Sequence, residues 1–308
     1  MAVTKDYKPR IVVILPVYNG MEWIQEQLDS ILKQKGVEVT VFISIDPSTD
    51  GSAGLCRQLA KQHENVFVLP DVGRFGGGAK NFFRLIRDVD FSDFDYVAYA
   101  DQDDIWFMDK LDRAVAKIIE LNIDAYSSNV IAFWASGENK FIEKSQPQRE
   151  WDYLFEAAGP GCTYVMTLGL AAELKKSVIA SWDEVNKVGF HDWYTYAYAR
   201  AHGFKWFIDQ WPSMLYRQHF NNQVGINKGW KAFLHRLEKV VSSWGIEQSA
   251  LIAKLIGKGG DSFVRSWCGF ERHGFLKLAF SANQCRRKPV ERFFFFFSCL
   301  ILALIGKH

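Results

Sequence analysis

The feature that most constrains the fold is an alternation of buried-type strands with amphipathic helices over about the first hundred residues. The run RIVVILPV is apolar almost throughout, as expected of a strand covered on both faces. Apolar residues at helical spacing follow it, and the same change of period follows the next two strands. The predicted strands are RIVVILPVYN, VEVTVFISID, NVFVLP and FDYVAYA. This pattern predicts an α/β fold with a doubly wound, mostly parallel sheet, which binds ligands at the carboxyl ends of its strands.

Three carboxylates follow the fourth predicted strand directly, in the stretch YVAYADQDDIW. Asp101 and Asp103 have the Asp-x-Asp spacing that lets two carboxylates face one hard cation, so they predict a Mg²⁺ or Mn²⁺ site that bridges substrate phosphates. Such a cation would cancel the repulsion that raises the pKa values of neighbouring carboxyl groups. The alternative is that the acidic run only caps the following helix, the role we predict for Asp104.

Two more groups of polar residues are expected at the same edge of the sheet. Asp46 ends the second strand. The turn DVGRFGGGAKN follows the third strand and contains Arg74 and Lys80. Its glycines permit close backbone approach, and the helix N-terminus after it favours a phosphate. The turn matches neither common glycine-rich nucleotide motif, so a plain surface turn is the alternative.

Length and composition place the chain among globular proteins. Its 308 residues are 48% hydrophobic and 23% charged, which fits one large domain, or one domain with an appendage. The five cysteines are scattered and form no Cys-x-x-Cys pair, which argues against a disulfide framework or a zinc site. The N-terminus runs into the first strand without a signal-peptide-like apolar segment. We therefore expect a cytoplasmic protein.

The end of the chain differs from the rest in charge. Residues 228–308 hold 14 Lys and Arg against 5 Asp and Glu. The apolar run 293–305 is shorter than the ~20 residues that a helix needs to span a bilayer. The basic residues that precede and begin this run are Arg286, Arg287, Lys288 and Arg292. We therefore predict a basic helical region, 226–308, whose tail lies on an anionic membrane surface, with a core helix or a homodimer contact as the alternative. Nucleic acid is not predicted as a partner, because the aromatic run does not interleave with the basic residues.

Five stretches of the sequence together resemble a known enzyme family. They are VVILPVYNG, ISIDPSTDGS, ADQDDIWFMDKL, GFHDWYTYAYARAHG and YRQHFNNQVG, in the family's order. The chain resembles the family 2 inverting glycosyltransferases of the GT-A fold, and among them the bacterial rhamnosyltransferase-like members. The resemblance implies a GT-A domain over residues 1–225, with a nucleotide-sugar half to about residue 105 and an acceptor half after it.

The resemblance also implies roles for individual residues. Pro16 and Tyr18 would line the nucleotide pocket, and Asp46 would accept a hydrogen bond from a pyrimidine N3–H. Asp101 and Asp103 match the family's Asp-x-Asp motif, in which Asp101 would also contact the nucleotide and Asp103 is expected to ligate the metal directly. Apart from the resemblance, the positions of Arg74 and Lys80 in and after the glycine-rich turn predict that they contribute to the same nucleotide site.

Asp192 lies at the start of a predicted helix and, by the resemblance, on the family's catalytic base. An aspartate in a first turn is stabilised by the helix dipole, so capping alone is the alternative. Inverting transfer, however, needs a carboxylate that takes the proton of the acceptor hydroxyl. His191 and Trp193 beside it are expected to contact the sugar or the acceptor, with packing as the alternative. Arg217 is expected to contact the diphosphate, and His219 to complete the metal site or contact the diphosphate.

The expected activity is sugar transfer from dTDP-L-rhamnose to a lipid-linked glycan of a bacterial surface polysaccharide, at the inner face of the cell membrane. Donor and acceptor both follow from the resemblance and not from pocket chemistry. The chain departs from the family pattern at Ile45 and Pro47, where Asp and Gly are usual, and this affects the ribose contacts. The alternatives are a UDP-sugar donor and, from another class, a sugar-nucleotide nucleotidyltransferase, although the turn after the first strand lacks that class's glycine-rich signature.

Overall fold

The structure, a computed structural model, describes residues 7–219 and 244–305. The strands in these residues are β1 (Arg10–Val17), β2 (Glu38–Ile45), β3 (Val66–Val68), β4 (Tyr96–Tyr99), β5 (Ile105–Trp106), β6 (Ala125–Trp134), β7 (Asn139–Ile142), β8 (Val165–Thr167) and β9 (Trp206–Gln218). They form one sheet in the order β3-β2-β1-β4-β8-β6-β9-β5, with β7 paired to β6. The first four strands pair in parallel, whereas β8 is antiparallel to both β4 and β6. The expected α/β fold with its mostly parallel first half is confirmed.

Helices cover both faces of this sheet. Those of the body are α1 (Ile24–Leu32), α2 (Ser52–Gln62), α3 (Gly78–Asp88), α4 (Lys110–Leu121), α5 (Leu168–Ala180), α6 (Trp182–Val185) and α7 (His191–Ala201). Those of the C-terminal region are α8 (Trp244–Leu255), α9 (Ser262–Arg265), α10 (Arg272–Phe280), α11 (Ala282–Cys285) and α12 (Pro289–Ile305). Two short 3-10 turns, Asp152–Leu154 and Gly161–Thr163, lie between β7 and β8. The predicted domain boundary at residue 225 lies outside the described residues.

The alternation of side chains along β1 divides the core into two clusters. Ile11, Val13 and Leu15 pack with residues of α1, α2 and α4 on one face of the sheet. Val12 and Ile14 point to the other face, where α3, α5 and α7 pack. Buried residues of the C-terminal helices belong to this second cluster, including Trp267, Phe275 and Leu302. The C-terminal helices therefore complete the core on the face that carries α7.

The basic segment before α12 does not form the exposed cluster that the sequence predicts. Arg287 is only 1% exposed and pairs with Asp152 at 3.2 Å. Arg286 donates to the Phe155 carbonyl at 2.7 Å and pairs with Glu291 at 2.7 Å. The Arg287 guanidinium lies inside because a buried carboxylate and a carbonyl of the body supply its partners, whereas the Arg286 side chain is 23% exposed. The prediction that this cluster lies on a membrane surface is therefore wrong for Arg287.

One face of α12 is apolar and exposed. Phe293 and Phe294 are 60% and 55% exposed, and Leu304 near the end of the helix is more exposed still. Phe280 of α10 adds a ring that packs edge-on against Phe296. Within the described part of the chain, we find no helix with the length and apolar character that a membrane crossing requires.

Two phenylalanines of α10 test how the C-terminal helices are anchored. Phe275 is 1% exposed, whereas Phe280 is 78% exposed. We expect Phe275→Ala to lower the free energy of unfolding by about 3–5 kcal/mol, because it leaves a cavity in the shared core. Phe280→Ala should change it by less than about 0.5 kcal/mol. Urea denaturation of both variants measures the difference, and equal effects would show that α10 is not part of the core.

Candidate active site

The acidic cluster lies at the carboxyl end of β4, as predicted. Carboxylate oxygens of Asp101 and Asp104 and the Sγ of Cys162 all lie within 4.8 Å of one another. Burial, together with the negative charge of Asp103, raises the pKa values of Asp101 and Asp104. The Cys162 thiol is also buried and its pKa is raised, so it stays protonated and is a poor ligand for a hard cation. The oxygens of the cluster are the part that suits such a cation.

Asp104 does not cap the next helix, so that prediction is wrong. α4 begins only at Lys110, and Asp104 instead precedes the short strand β5. Its Oδ1 accepts the backbone N–H of Arg217 at 3.2 Å, which joins the cluster to the end of β9. Its Oδ2 is buried and has no hydrogen-bond partner among the described residues. A buried carboxylate oxygen without a donor is unfavourable, and a cation would satisfy it.

Asp103 lies beside His219, and both are predicted metal ligands. The Nε2 of His219 is 2.6 Å from the Oδ2 of Asp103. The imidazole stacks on Trp23 at a centroid distance of 4.1 Å, which fixes the plane of the ring. Arg217 donates through Nε to the Asp103 carbonyl at 2.8 Å and pairs with Glu26. The side chains of Arg217 and His219 thus connect the end of β9 to the acidic loop.

Lys110 supplies a positive charge beneath the cluster, a role the sequence reasoning did not assign. Its side chain is fully buried, and Nζ donates to the Cys162 carbonyl at 2.6 Å. The ammonium lies 3.2 Å from the centroid of the Trp106 ring, within range of a cation–π interaction. Burial lowers its pKa to about 7, while Asp104 and Asp101 act in the opposite direction. With all three carboxyl groups ionised, the single positive charge of Lys110 would leave the cluster negative, which is why their ionisation is disfavoured until further positive charge is present.

At the ends of β2 and β3, the glycine-rich turn folds over Asp46. The backbone N–H groups of Phe75 and Gly76 donate to its two carboxylate oxygens at 2.8 and 2.9 Å. Each oxygen retains a second lone pair, so the carboxylate can still accept a bond from a base. The buried side chain of Arg84 supports the turn: it donates to the Pro70 carbonyl, and its Cζ lies 5.2 Å from the centroid of the Phe75 ring.

Gln102 joins the acidic loop to the loop after β1, and sequence reasoning missed it. Its side-chain amide accepts the N–H of Tyr18 and donates to the Tyr18 carbonyl, both at 2.9 Å. Gly20 leaves room for this amide, since a Cβ there would lie 2.4 Å from the Gln102 Oε1. Tyr18 is half exposed at the mouth of the site, whereas Pro16 is buried within β1.

Arg74 and Lys80, the other predicted nucleotide-binding residues, are both exposed. Arg74 lies in the glycine-rich turn and Lys80 in the first turn of α3, at the same edge of the sheet as Asp46. They remain predictions. Of the observed links at this edge, Gln102 joins the acidic loop to the loop after β1, Asp103 contacts His219 after β9, and Asp46 joins the end of β2 to the glycine-rich turn.

Asp192 lies in the first turn of α7, close to the acidic cluster. A Cβ on Gly161 would lie 3.0 Å from the Asp192 Cβ and 2.6 Å from the His191 Nε2, so this backbone approaches α7 closely. The neighbour of Gly161 is Cys162, which contacts the cluster. Burial raises the pKa of Asp192 to about 6, although the N–H of Trp193 donates to its Oδ1 at 2.8 Å. The pKa of the Asp192 carboxyl group is thus closer to neutral pH than that of an exposed aspartate.

The two residues beside Asp192 have packing roles in this structure. The His191 ring stacks on Phe82 at 3.5 Å, and burial lowers its pKa to about 3, so it stays neutral. Trp193 is 7% exposed, and its indole N–H donates to the Tyr153 carbonyl at 3.0 Å. The geometry gives these rings the packing role that the sequence left as the alternative.

Comparison with known proteins identifies the class of enzyme. The fold and the acidic edge of the sheet are those of a glycosyltransferase, and a sequence model described as Glycosyl transferase family 2 matches residues 12–160. The dTDP-rhamnosyl transferase RfbG of Shigella flexneri is 43% identical over 281 residues, which cover 91% of this chain and 96% of that protein. The chain therefore belongs to glycosyl transferase family 2. A putative teichuronic acid biosynthesis glycosyltransferase, TuaG of Bacillus subtilis (strain 168), is 30% identical over 115 residues, 37% of this chain and 44% of that protein.

Solved structures agree on the fold. The crystal structure of S. aureus TarS 1-349 superposes with a TM-score of 0.55 at 15% identity, covering 96% of this chain and 80% of that one. The mannosyltransferase PcManGT from Pyrobaculum calidifontis, in complex with GDP-Man and Mn2+, superposes with a TM-score of 0.52 at 17% identity, covering 97% and 87%. At these identities the likeness concerns the fold alone, and it confirms the GT-A architecture that the sequence predicts.

The close contact at Gly161 yields a test of the site. Gly161→Ala forces the start of α7 outward, so we expect it to lower the free energy of unfolding by about 1–3 kcal/mol. If Asp192 is the base that the resemblance implies, turnover should also fall by about tenfold or more, because small displacements of a catalytic group are costly. Gly169→Ala is the matched control, since a Cβ there meets nothing within 4 Å. Calorimetry and initial rates of both variants measure the effects, and wild-type turnover in Gly161→Ala would place Asp192 outside the chemistry.

Proposed function

We propose that this enzyme transfers L-rhamnose from dTDP-L-rhamnose, with inversion, to a hydroxyl group of a lipid-linked glycan in bacterial surface polysaccharide synthesis. The 43% identity to a dTDP-rhamnosyl transferase over most of both chains supports the donor. A UDP-sugar donor is the second candidate. TarS, which shares the fold, has been crystallised in complex with UDP-GlcNAc.

The observation that carries the proposal is the position of Asp192 close to the three aspartates at the end of β4, where the metal and the diphosphate are expected to bind. The 3-10 turn Gly161–Thr163 contacts Asp192 on one side and the Asp101 cluster on the other. The negative charge of Asp192 also contributes to the raised pKa of Asp101. In addition, the Tyr99 hydroxyl of β4 lies 3.2 Å from the Thr195 hydroxyl of α7. A base and a diphosphate site in this proximity are what direct displacement at a sugar carbon requires.

In the proposed reaction, the acceptor oxygen attacks the anomeric carbon while Asp192 takes its proton. The bond from that carbon to the diphosphate oxygen breaks, and the electron pair leaves with the nucleotide. Asp101 and Asp104, whose oxygens lie close together, and Asp103 with His219 beside it would hold Mg²⁺ or Mn²⁺, since carboxylate oxygens suit such a cation and Asp104 has an unpartnered buried oxygen among the described residues. The metal, when bound, would stabilise the negative charge on the departing diphosphate.

A donor panel tests the substrate assignment. We expect purified enzyme with Mn²⁺ or Mg²⁺ to consume dTDP-L-rhamnose faster than UDP-glucose, UDP-GlcNAc or GDP-mannose, measured by release of the nucleoside diphosphate. The same assay in EDTA serves as the control for the metal. Preference for a UDP-sugar would replace the donor, and formation of sugar nucleotide from sugar phosphate and dTTP would replace the reaction class.

The role of Asp192 predicts a pH dependence. The base must be ionised, and burial raises its pKa to about 6, so turnover should be constant above that pH and fall about tenfold per unit below it. Asp192→Asn should lower turnover by roughly 10²–10⁴-fold while the KM for the donor changes little. Rate profiles from pH 4.5 to 8.5 of both proteins measure this. A variant that loses donor binding but keeps turnover would make Asp192 a binding residue.

The proposal includes peripheral association with the inner face of the cell membrane, where a lipid-linked acceptor is concentrated. The exposed aromatic face of α12 supports it, but the charged contribution is smaller than the sequence suggests. Arg286, Arg287 and Arg292 all donate to groups within the protein. The carboxylates paired with Arg286 and Arg287 offset their charge, so these two residues contribute less than the about 1 kcal/mol that a free basic side chain supplies at an anionic surface. Arg292 donates to carbonyl groups, which leave its charge in place. Attachment therefore rests mainly on apolar burial.

Liposome binding tests this surface. We expect full-length protein to bind anionic vesicles and to lose most of that binding when Phe293 and Phe294 are both changed to Ser. Changing Phe67 and Phe141, which are similarly exposed elsewhere, is the matched control and should leave binding unchanged. Raising the salt to about 0.5 M should weaken binding only modestly, because apolar contacts are not screened. Complete release by salt, with unaffected binding of the Phe293/Phe294 variant, would contradict the proposal.

A further inference from the structure

We infer that Arg287 of the C-terminal region is a positioning residue for Asp192, acting through a buried network that fixes the helix α7. The inference rests on the proposed role of Asp192 as the base. It concerns a segment whose sequence suggested a membrane-binding function, and it makes the C-terminal helices part of the catalytic apparatus.

The network is centred on Asp152, which is fully buried. Its Oδ1 accepts a bond from the Arg200 Nη1 at 3.0 Å. Its Oδ2 accepts bonds from the Tyr196 hydroxyl at 2.9 Å and from the Arg287 Nη1 at 3.2 Å. Two of these donors come from α7 and the third from the C-terminal region, so one carboxylate joins the two.

Arg287 is fixed in place by further contacts. Its Nη2 donates to the Ala157 carbonyl at 2.7 Å and lies 3.4 Å from a carboxylate oxygen of Glu156. Its backbone N–H donates to the same Glu156 side chain at 2.6 Å. The carbonyl of Arg287 in turn accepts a bond from Arg292 at 2.6 Å. The guanidinium group is planar and always charged, so its bonds to Asp152 and to the Ala157 carbonyl fix its orientation.

The network acts on the face of α7 that carries the base. Asp192, Tyr196 and Arg200 are four residues apart, so they lie along one side of the helix. The first turn of α7 is located by the close approach of Gly161, and the two following turns by Asp152. A helix held at both ends of one face cannot rotate about its axis. Loss of Arg287 removes one of the two cationic partners of Asp152, so the carboxylate that bonds Tyr196 and Arg200 is held less firmly and Asp192 shifts with the helix.

A purely stabilising role is the competing explanation, and the protein contains a matched control for it. Asp209 accepts bonds from Arg113 at 2.8 Å and from the Tyr126 hydroxyl at 3.0 Å. This is the same combination of Arg, Asp and Tyr, but it lies between α4, β6 and β9 and includes no residue of α7. Variants of both networks should lose stability, Arg113→Met less than Arg287→Met because the Arg113 side chain is 36% exposed, but only variants of the Asp152 network should lose catalysis.

The experiment compares full-length Arg287→Met, Arg287→Lys and Tyr196→Phe with Arg113→Met and Tyr126→Phe. Initial rates are measured with the best donor of the panel and a hydroxyl acceptor, well below the melting temperature of every variant. We expect kcat of Arg287→Met to fall about tenfold or more, with the donor KM within about twofold of wild type. Arg287→Lys should recover part of this loss, and Tyr196→Phe should lose about threefold. The Arg113 and Tyr126 variants should melt earlier but keep the wild-type kcat.

Three results would overturn the inference. They are a wild-type kcat in Arg287→Met, an equal loss of kcat in Arg113→Met, and a loss confined to the donor KM. If Arg287→Met does not fold, Tyr196→Phe decides the matter, because it keeps the ion pair and removes only the hydroxyl link; an unchanged kcat then sinks the inference. A wild-type protein that transfers no sugar from any donor would refute the proposed function instead, so the two failures are distinguishable.

Discussion

The repulsion among three aspartates at the end of β4 is the constraint around which the site is built. Such a cluster cannot stay ionised in a buried position unless positive charge compensates it. The protein supplies part of the compensation from below, through the buried ammonium of Lys110 over the Trp106 ring. The remaining positive charge would come from a bound cation, and the Oδ2 of Asp104 has no other partner among the described residues. An incompletely neutralised site of this kind favours a divalent cation together with a diphosphate.

The same physical rule explains why the C-terminal region belongs to the body of the enzyme. The Asp152 side chain is fully buried, so its negative charge requires hydrogen-bond donors and positive charge from other parts of the protein. Arg200 and Arg287 provide them from opposite sides. Because the C-terminal helices also complete the core that includes α7, the exposed apolar face of α12 and the proposed base Asp192 belong to one packed body. The two are connected through packed side chains and a buried ion network.

Sequence reasoning succeeded where the signal was local and periodic. The four parallel strands, their helices and the acidic residues at the strand ends follow from apolar period and from spacing, and the structure confirms them.

Sequence reasoning failed where a residue's partner is distant in sequence. Asp104 looked like a helix cap but bonds Arg217. Arg287 looked like a surface cation but pairs with Asp152, and neither partner is visible from the residues nearby. Gln102 and Lys110 stood within the acidic motif itself, and only their contacts give them a role.

The sequence by itself determined the α/β class, the edge of the sheet that carries the chemistry and the resemblance to the family to which the chain belongs. These depend on local pattern and on the fact that parallel strands end at one edge. Only the tertiary structure decided which charges are compensated and by what. It placed Gly161 against Asp192, closed the glycine-rich turn over Asp46 and buried Arg287 of the basic segment. The reason is that burial and pairing of charged groups depend on contacts between residues far apart in the chain, and a linear pattern does not specify them.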